Sequence, residues 1–161
     1  MISMKWFFGV KEDLSDVHVV RREVFVEEQG VPEDKVDNGT DAECIHLVVY
    51  DDSEKPVSTG RVHITDEDFI IGRVATIKSH RGQGLATGIM QALIEACVQM
   101  GGERQITNSQ VRSMGFYEKL GFTPYSSEFE EAGIPHVSME HFGSVKKCGS
   151  GGHCGGCGKG H

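Results

Sequence analysis

The chain has 161 residues, 38% of them hydrophobic and 25% charged, with a formal net charge of −8; this size suits one domain with a single core. The acidic balance argues against non-specific nucleic-acid binding, which depends on basic patches. No apolar run is long enough to span a bilayer, and the N-terminus lacks the regions of a secretion signal, so a cytoplasmic protein with neither nucleic acid nor membrane as partner is expected.

Ile2 to Val10 is aromatic and apolar enough for a first strand. From Asp13 to Gln29 the spacing of Val17, Val20, Val24 and Phe25 predicts a helix, stopped at Gly30 with Pro32 just beyond. Val31 to Asp41 is polar and reads as a loop. Cys44 to Tyr50, Val57 to Thr65 and Phe69 to Ile77 read as three strands, with connections short enough for an antiparallel meander. Gly84 to Met100 is the clearest helix: Leu85, Ile89, Leu93 and Cys97 share a face, widened by Met90, Ile94 and Val98, and Gly101-Gly102 ends it. Gln105 to Asn108 is a short strand. Val111 to Leu120 is a helix ended by Gly121. Phe122 to Glu130 and His136 to Phe142 read as two final strands. This order gives a mixed α/β domain over residues 1–142. Cys44 and Cys97 fall in apolar patterns and read as buried thiols, so a disulfide framework is not expected.

The chemistry concentrates in the turn Arg81-Gly82-Gln83-Gly84-Leu85-Ala86-Thr87, between a strand and the long helix. Glycines there let the backbone approach a ligand closely. The first-turn amides of the helix lack intrahelical partners, and the dipole favours an anion. A Walker loop would need Gly-Lys-Ser/Thr, which is absent. A dinucleotide fingerprint would need a third glycine at Thr87, but Gly88 comes one residue late. A coenzyme A pyrophosphate cradle needs Arg/Gln-x-x-Gly-x-Gly/Ala, and Arg81, Gly84 and Ala86 match it. A tight turn without any ligand is the remaining alternative.

With Asn108 ending the following strand and Phe116-Tyr117-Glu118-Lys119-Leu120-Gly121-Phe122 after it, the chain resembles the GNAT superfamily of N-acetyltransferases from Ile2 to Phe142. Val24-Phe25-Val26-Glu27-Glu28-Gln29 and Ala132-Gly133-Ile134-Pro135-His136 resemble a bacterial subgroup of uncharacterised GNAT proteins. The resemblance implies a mostly antiparallel twisted sheet of about six to seven strands, splayed at strands four and five and flanked by helices. It implies acetyl-CoA as cosubstrate. Val74, Ala75 and Thr76 would hold the pantetheine arm, one N–H polarising the thioester carbonyl. Arg81, Gly82, Gln83, Gly84, Leu85, Ala86 and Thr87 would hold the pyrophosphate, and Asn108 would bond the pantetheine.

The same resemblance places Tyr117 near the cofactor sulfur as acid or hydrogen-bond donor to the leaving thiolate. It also implies direct attack by a primary amine, on a small molecule or a peptide, through a tetrahedral intermediate. Many members carry a carboxylate base on strand four; here that position is Gly72. Glu27, Glu28, His46 and His136 are the candidate bases, each with a structural alternative, and His136 is the first choice for catalysis. Arg73 points either toward substrate or into a salt bridge. A domain that binds acetyl-CoA without turnover is the alternative function, and a homodimer is compatible with the apolar sheet.

After Phe142 the composition changes, and residues 143–161 read as a flexible Gly/Cys/His-rich tail. Cys148, His153, Cys154 and Cys157 form a candidate set for Zn²⁺ or Cu(I). Incidental affinity without a defined site is the alternative there, and a metal-binding protein led by this tail is a further rival function.

Overall fold

The computed structural model describes residues 2–36 and 39–144. Among these, eight strands form one sheet: β1 (Ser3–Phe8), β2 (Cys44–Tyr50), β3 (Pro56–Ile64), β4 (Phe69–Thr76), β5 (Arg104–Gln110), β6 (Thr123–Pro124), β7 (Phe129–Glu131) and β8 (Ile134–Phe142). Their order is β1-β2-β3-β4-β5-β8-β6, with β7 also paired to β8. The first four strands form the expected meander. Polar side chains brace its turns: Asp51 Oδ1 accepts the N–H groups of Ser53 and Lys55, and Thr65 Oγ1 those of Glu67 and Asp68.

Only β4 and β5 run parallel, and they share a ladder at just two positions, Phe69 with Gln105 and Ile70 with Ile106. Beyond them, Ile71–Thr76 and Thr107–Gln110 part, which is the splay that the resemblance implied. Two local causes are visible. A parallel pair needs a crossover, supplied by α3 (Leu85–Gln99). And β4 bulges against β3: Thr59 pairs with Ala75 and Arg61 with Gly72, leaving Arg73 and Val74 opposite Gly60 alone. Arg73 takes φ 53 to make this bend.

The long helix packs as its periodicity predicts, with Ile89, Met90, Leu93, Ile94 and Cys97 buried against the sheet. Gly60 permits that approach, since a Cβ there would stand 2.8 Å from Ile89 and 2.9 Å from Leu93. The first helix starts at Ser15, whose N–H is accepted by Asp13, and buries Val17 and Val20. It is α-helical only over α1 (Ser15–Arg21); Arg22–Glu28 widens into a π-helix. The span expected to be loop holds a short helix, α2 (Glu33–Val36). The expected helix 111–120 is a 3₁₀ turn, Val111–Ser113, followed by α4 (Met114–Lys119).

Two further corrections concern the last hairpin. The single strand expected from Phe122 to Glu130 is two short ones, β6 and β7, and the sheet therefore has eight strands, not six or seven. Pro124 has no N–H to continue a ladder, and the chain leaves β8 after the Tyr125 N–H bonds Ser138 O. The tail positions Cys148, His153, Cys154 and Cys157 lie outside the described residues.

Candidate active site

The splay opens two cavities that meet. The larger, about 910 Å³, lies between the end of β4 and the N-terminus of α3. The smaller, about 320 Å³, lies among β4, β5, α2 and the β7–β8 hairpin. Gln29, Val74, Gln110, Ser113, Tyr117 and Ile134 line both. The π-helix ends at this junction. Its wide turn sends the Val31 N–H back to Phe25 O, and Gln29 accepts a hydrogen bond from Gln110 across the strand end, 3.0 Å. Such widened turns recur at functional sites.

At the larger cavity, Gly82 and Gly84 sit at φ 82 and φ 80, and a Cβ on either would meet nothing within 4 Å. They serve the turn's left-handed backbone and leave space on its open side. Gly84 caps α3 with no side-chain bond, and its carbonyl accepts the Gly88 N–H. The amides of Leu85, Ala86 and Thr87 therefore have no side-chain cap, at the positive end of a 15-residue helix. The donor set fits a pyrophosphate.

Val74, Ala75, Thr76, Arg81, Gly82, Gly84, Leu85, Ala86 and Thr87 all line this cavity. Gln83 is exposed and does not. The Arg81 guanidinium is already engaged: Nε donates to Thr76 O and Nη1 to Glu28 Oε2, 2.8 and 2.7 Å. It braces the turn against β4.

Tyr117 is partly buried at the junction, edge-on to Phe116 and Phe122. Burial pushes its phenol up to about 12, with Thr107 acting the other way. Asn108 lines the smaller cavity, where its Oδ1 accepts from Ser138 Oγ. His136 lines it too, nearly buried and stacked on Phe129. Its Nδ1 lies 2.7 Å from Ile134 O. A carbonyl only accepts, so Nδ1 carries the hydrogen, and in the neutral ring Nε2 keeps its lone pair.

A sequence model of the acetyltransferase (GNAT) domain matches residues 10–141. The chain belongs to this family. YjcF of Bacillus subtilis, described as an uncharacterized N-acetyltransferase, is 42% identical over 130 residues, 80% of this chain and 92% of that protein. ElaA of Escherichia coli is 30% identical over 126 residues, 74% of this chain and 81% of ElaA. The crystal structure of ElaA superposes with a TM-score of 0.77, covering 88% of this chain and 99% of ElaA. An acyl-CoA N-acyltransferase from Pseudomonas aeruginosa gives the same TM-score at 25% identity and the same coverage. A GNAT fold follows, in a family of acyltransferases that use acetyl-CoA as cosubstrate, and among the described residues no helix is long and apolar enough to cross a membrane.

The GNAT domain sorts the candidate bases. Glu27 lines neither cavity. The hydrogen bond from Arg81 holds Glu28 below the usual carboxylate range. His46 is fully buried; its Nδ1 accepts from Arg21 and its Nε2 donates to Asp41 O. Neither ring nitrogen is free for an amine. His136 alone of the four faces the smaller cavity. Arg73 also lines it, yet makes no salt bridge among the described residues; Nε and Nη2 donate to Val36 O and Lys35 O, 3.0 and 3.3 Å.

Sequence reasoning missed a buried ion cluster behind this wall. Asp41 accepts from both Arg21 and Arg61 at 2.8–2.9 Å, and all three are less than a tenth exposed. Burial by itself would raise the Asp41 carboxyl, but the two guanidinium groups outweigh it and hold it far below the usual range. The signal was present in the chain: an arginine inside the valine helix and another inside a strand of apolar residues. Asp41, Cys44 and His46 bring ligand-type atoms within 4.8 Å, yet the two arginines occupy the carboxylate and repel a cation. The Lys35, Arg61 and Glu131 linings of the smaller cavity carried no motif at all.

Proposed function

We propose that the protein is an N-acetyltransferase that moves the acetyl group of acetyl-CoA to a primary amine by direct attack. One observation carries this: a cleft with an anion-ready helix end meets a second, smaller cavity at Tyr117 and Val74. Acetyl-CoA fits the larger, with its pyrophosphate on the amides after Gly84 and its pantetheine along Val74, Ala75 and Thr76. Asn108 meets the arm from the acceptor side.

An amine arrives protonated and must lose a proton before it attacks. Gly72 offers no carboxylate, and His136 Nε2 takes that role. A β4 amide at the splay polarises the thioester carbonyl as the tetrahedral intermediate forms, and Tyr117 donates a hydrogen bond to the thiolate that leaves. Cys44 and Cys97 line neither cavity, and burial pushes the Cys97 thiol up to about 12, which speaks against an acyl-enzyme. The cytoplasm, which supplies acetyl-CoA and keeps such thiols reduced, is the proposed site of action.

Calorimetric titration with acetyl-CoA, comparing the wild type with Gly84→Glu, tests the cofactor site. Micromolar binding that the folded variant loses supports it. Thiol release with a panel of amines then tests transfer. Binding without turnover on any amine would favour a binding module, the reading that the missing strand-four carboxylate supports. Failure of the wild type to bind would overturn the site.

A further inference from the structure

The smaller cavity carries a charge pattern opposite to that of the chain. The protein's formal net charge is −8, yet among the described residues Lys35, Arg61 and Arg73 line this space against a single carboxylate, Glu131. Asp41 offsets only part of the excess, because it is shared between Arg61 and Arg21, leaving one positive charge behind the wall. Arg73 has no carboxylate within 4.0 Å among the described residues. Backbone carbonyls of α2 fix its Nε and Nη2, and no hydrogen bond is made by Nη1 among the described residues.

Its placement is built. A β-bulge and a left-handed φ of 53, which side chains rarely adopt, set Arg73 at this wall. Desolvation and the neighbouring Arg61 charge disfavour its charged form, and Glu131 and Asp41 offset part of that, so a substrate anion there adds to a compensation the protein only partly supplies. The walls also differ in sign. The cations come from α2, β3 and β4, while Glu131 and His136 come from the β7–β8 hairpin.

We propose, resting on the transferase reading, that the acceptor is a small amine that carries its own carboxylate or phosphate, with the anion held by Arg73 and Lys35. A volume of about 320 Å³ matches a small molecule. The amine then lies toward Glu131, His136 and Tyr117, and the acid toward α2 and β4. A polyamine or an aminoglycoside, cationic throughout, meets the wrong sign on the arginine wall.

The test measures thiol release with matched pairs: glycine against glycinamide, 4-aminobutyrate against putrescine, and O-phosphoethanolamine against ethanolamine. At least one acid should exceed its neutral or cationic partner in kcat/KM by about 10- to 100-fold, the range for charge-assisted hydrogen bonds. Which pair responds distinguishes carboxylate from phosphate. Arg73→Gln should erase most of the difference through KM, and Arg73→Lys should keep part of it. If Arg73→Gln does not fold, the exposed Lys35→Gln takes its place, with a preference reduced at least about threefold.

Putrescine or the amides matching the acids would overturn the proposal, as would an acid preference that survives Arg73→Gln. If no amine is acetylated while acetyl-CoA binds, the transferase reading fails by itself. Calorimetry of the same pairs on the protein saturated with coenzyme A then decides the anion site. Acids binding about tenfold tighter uphold it, and equal or absent binding overturns it.

Discussion

Burial holds the Tyr117 phenol at about 12, far above the about 8.5 of an ordinary thiol. Outright proton transfer from Tyr117 to the departing thiolate would run uphill by about 5 kcal/mol. In the proposed mechanism the phenol therefore acts as a hydrogen-bond donor that stays protonated throughout the working pH range. Tyr117→Phe should lower kcat by about 10- to 100-fold, the worth of a hydrogen bond to a charged group, while acetyl-CoA affinity by calorimetry stays near the wild-type value. A fall of about 10⁴-fold would instead show general-acid transfer. Tyr117 was legible in the sequence because it stands at a fixed offset in a patterned segment. Arg73 was legible only as an alternation, since the bulge that aims it depends on how β3 pairs with β4. The sequence offered substrate or salt bridge, and the structure shows a guanidinium tied to backbone carbonyls at a cavity wall.

At the scale of elements, Asp41 ties together α1, through Arg21, and β3, through Arg61. His46 on β2 closes the cluster. Asp41→Asn removes the charge that two buried arginines share and should cost about 3–5 kcal/mol in urea unfolding. Acid should act on the same cluster. The Asp41 carboxyl is held below its unfolded value of about 3.9, so its stabilisation is present above that pH and is lost as pH falls through the depressed folded value. Burial likewise lowers His46 below its ordinary value of about 6.5, so the fold favours the neutral ring and loses stability as pH drops under that value. Calorimetric melting between pH 7.5 and 3 should show wild-type stability declining in both windows, with the lower one flattened in Asp41→Asn. A melting temperature unmoved by acid would place the cluster outside the stability of the fold. The π-turn belongs to the same scale. Periodicity found the buried face of Val17, Val20 and Val24, but a widened turn preserves that face and left no mark in the spacing.

For the whole molecule, every described residue lining either cavity lies between Val24 and His136. We propose residues 1–142 as the catalytic domain. On that proposal, ending the chain after Ser144 should leave acetyl transfer within about twofold and melting within about 2 °C. Loss of turnover on that truncation would move the function to the Cys/His-rich tail. The sequence by itself determined the family, the meander, the long helix with its glycine cradle and the position of Tyr117. Each of these is written in local periodicity, turn chemistry or a spacing within one segment. Only the tertiary structure decided the eight-strand sheet, the paired state of Arg81, the exclusion of His46 and the cationic wall of the smaller cavity. Those depend on residues distant in the chain. Glu28 meets Arg81, Asp41 meets Arg61, and α2 meets Arg73 only after the sheet has closed, and no short-range pattern encodes a contact that the pairing of strands creates.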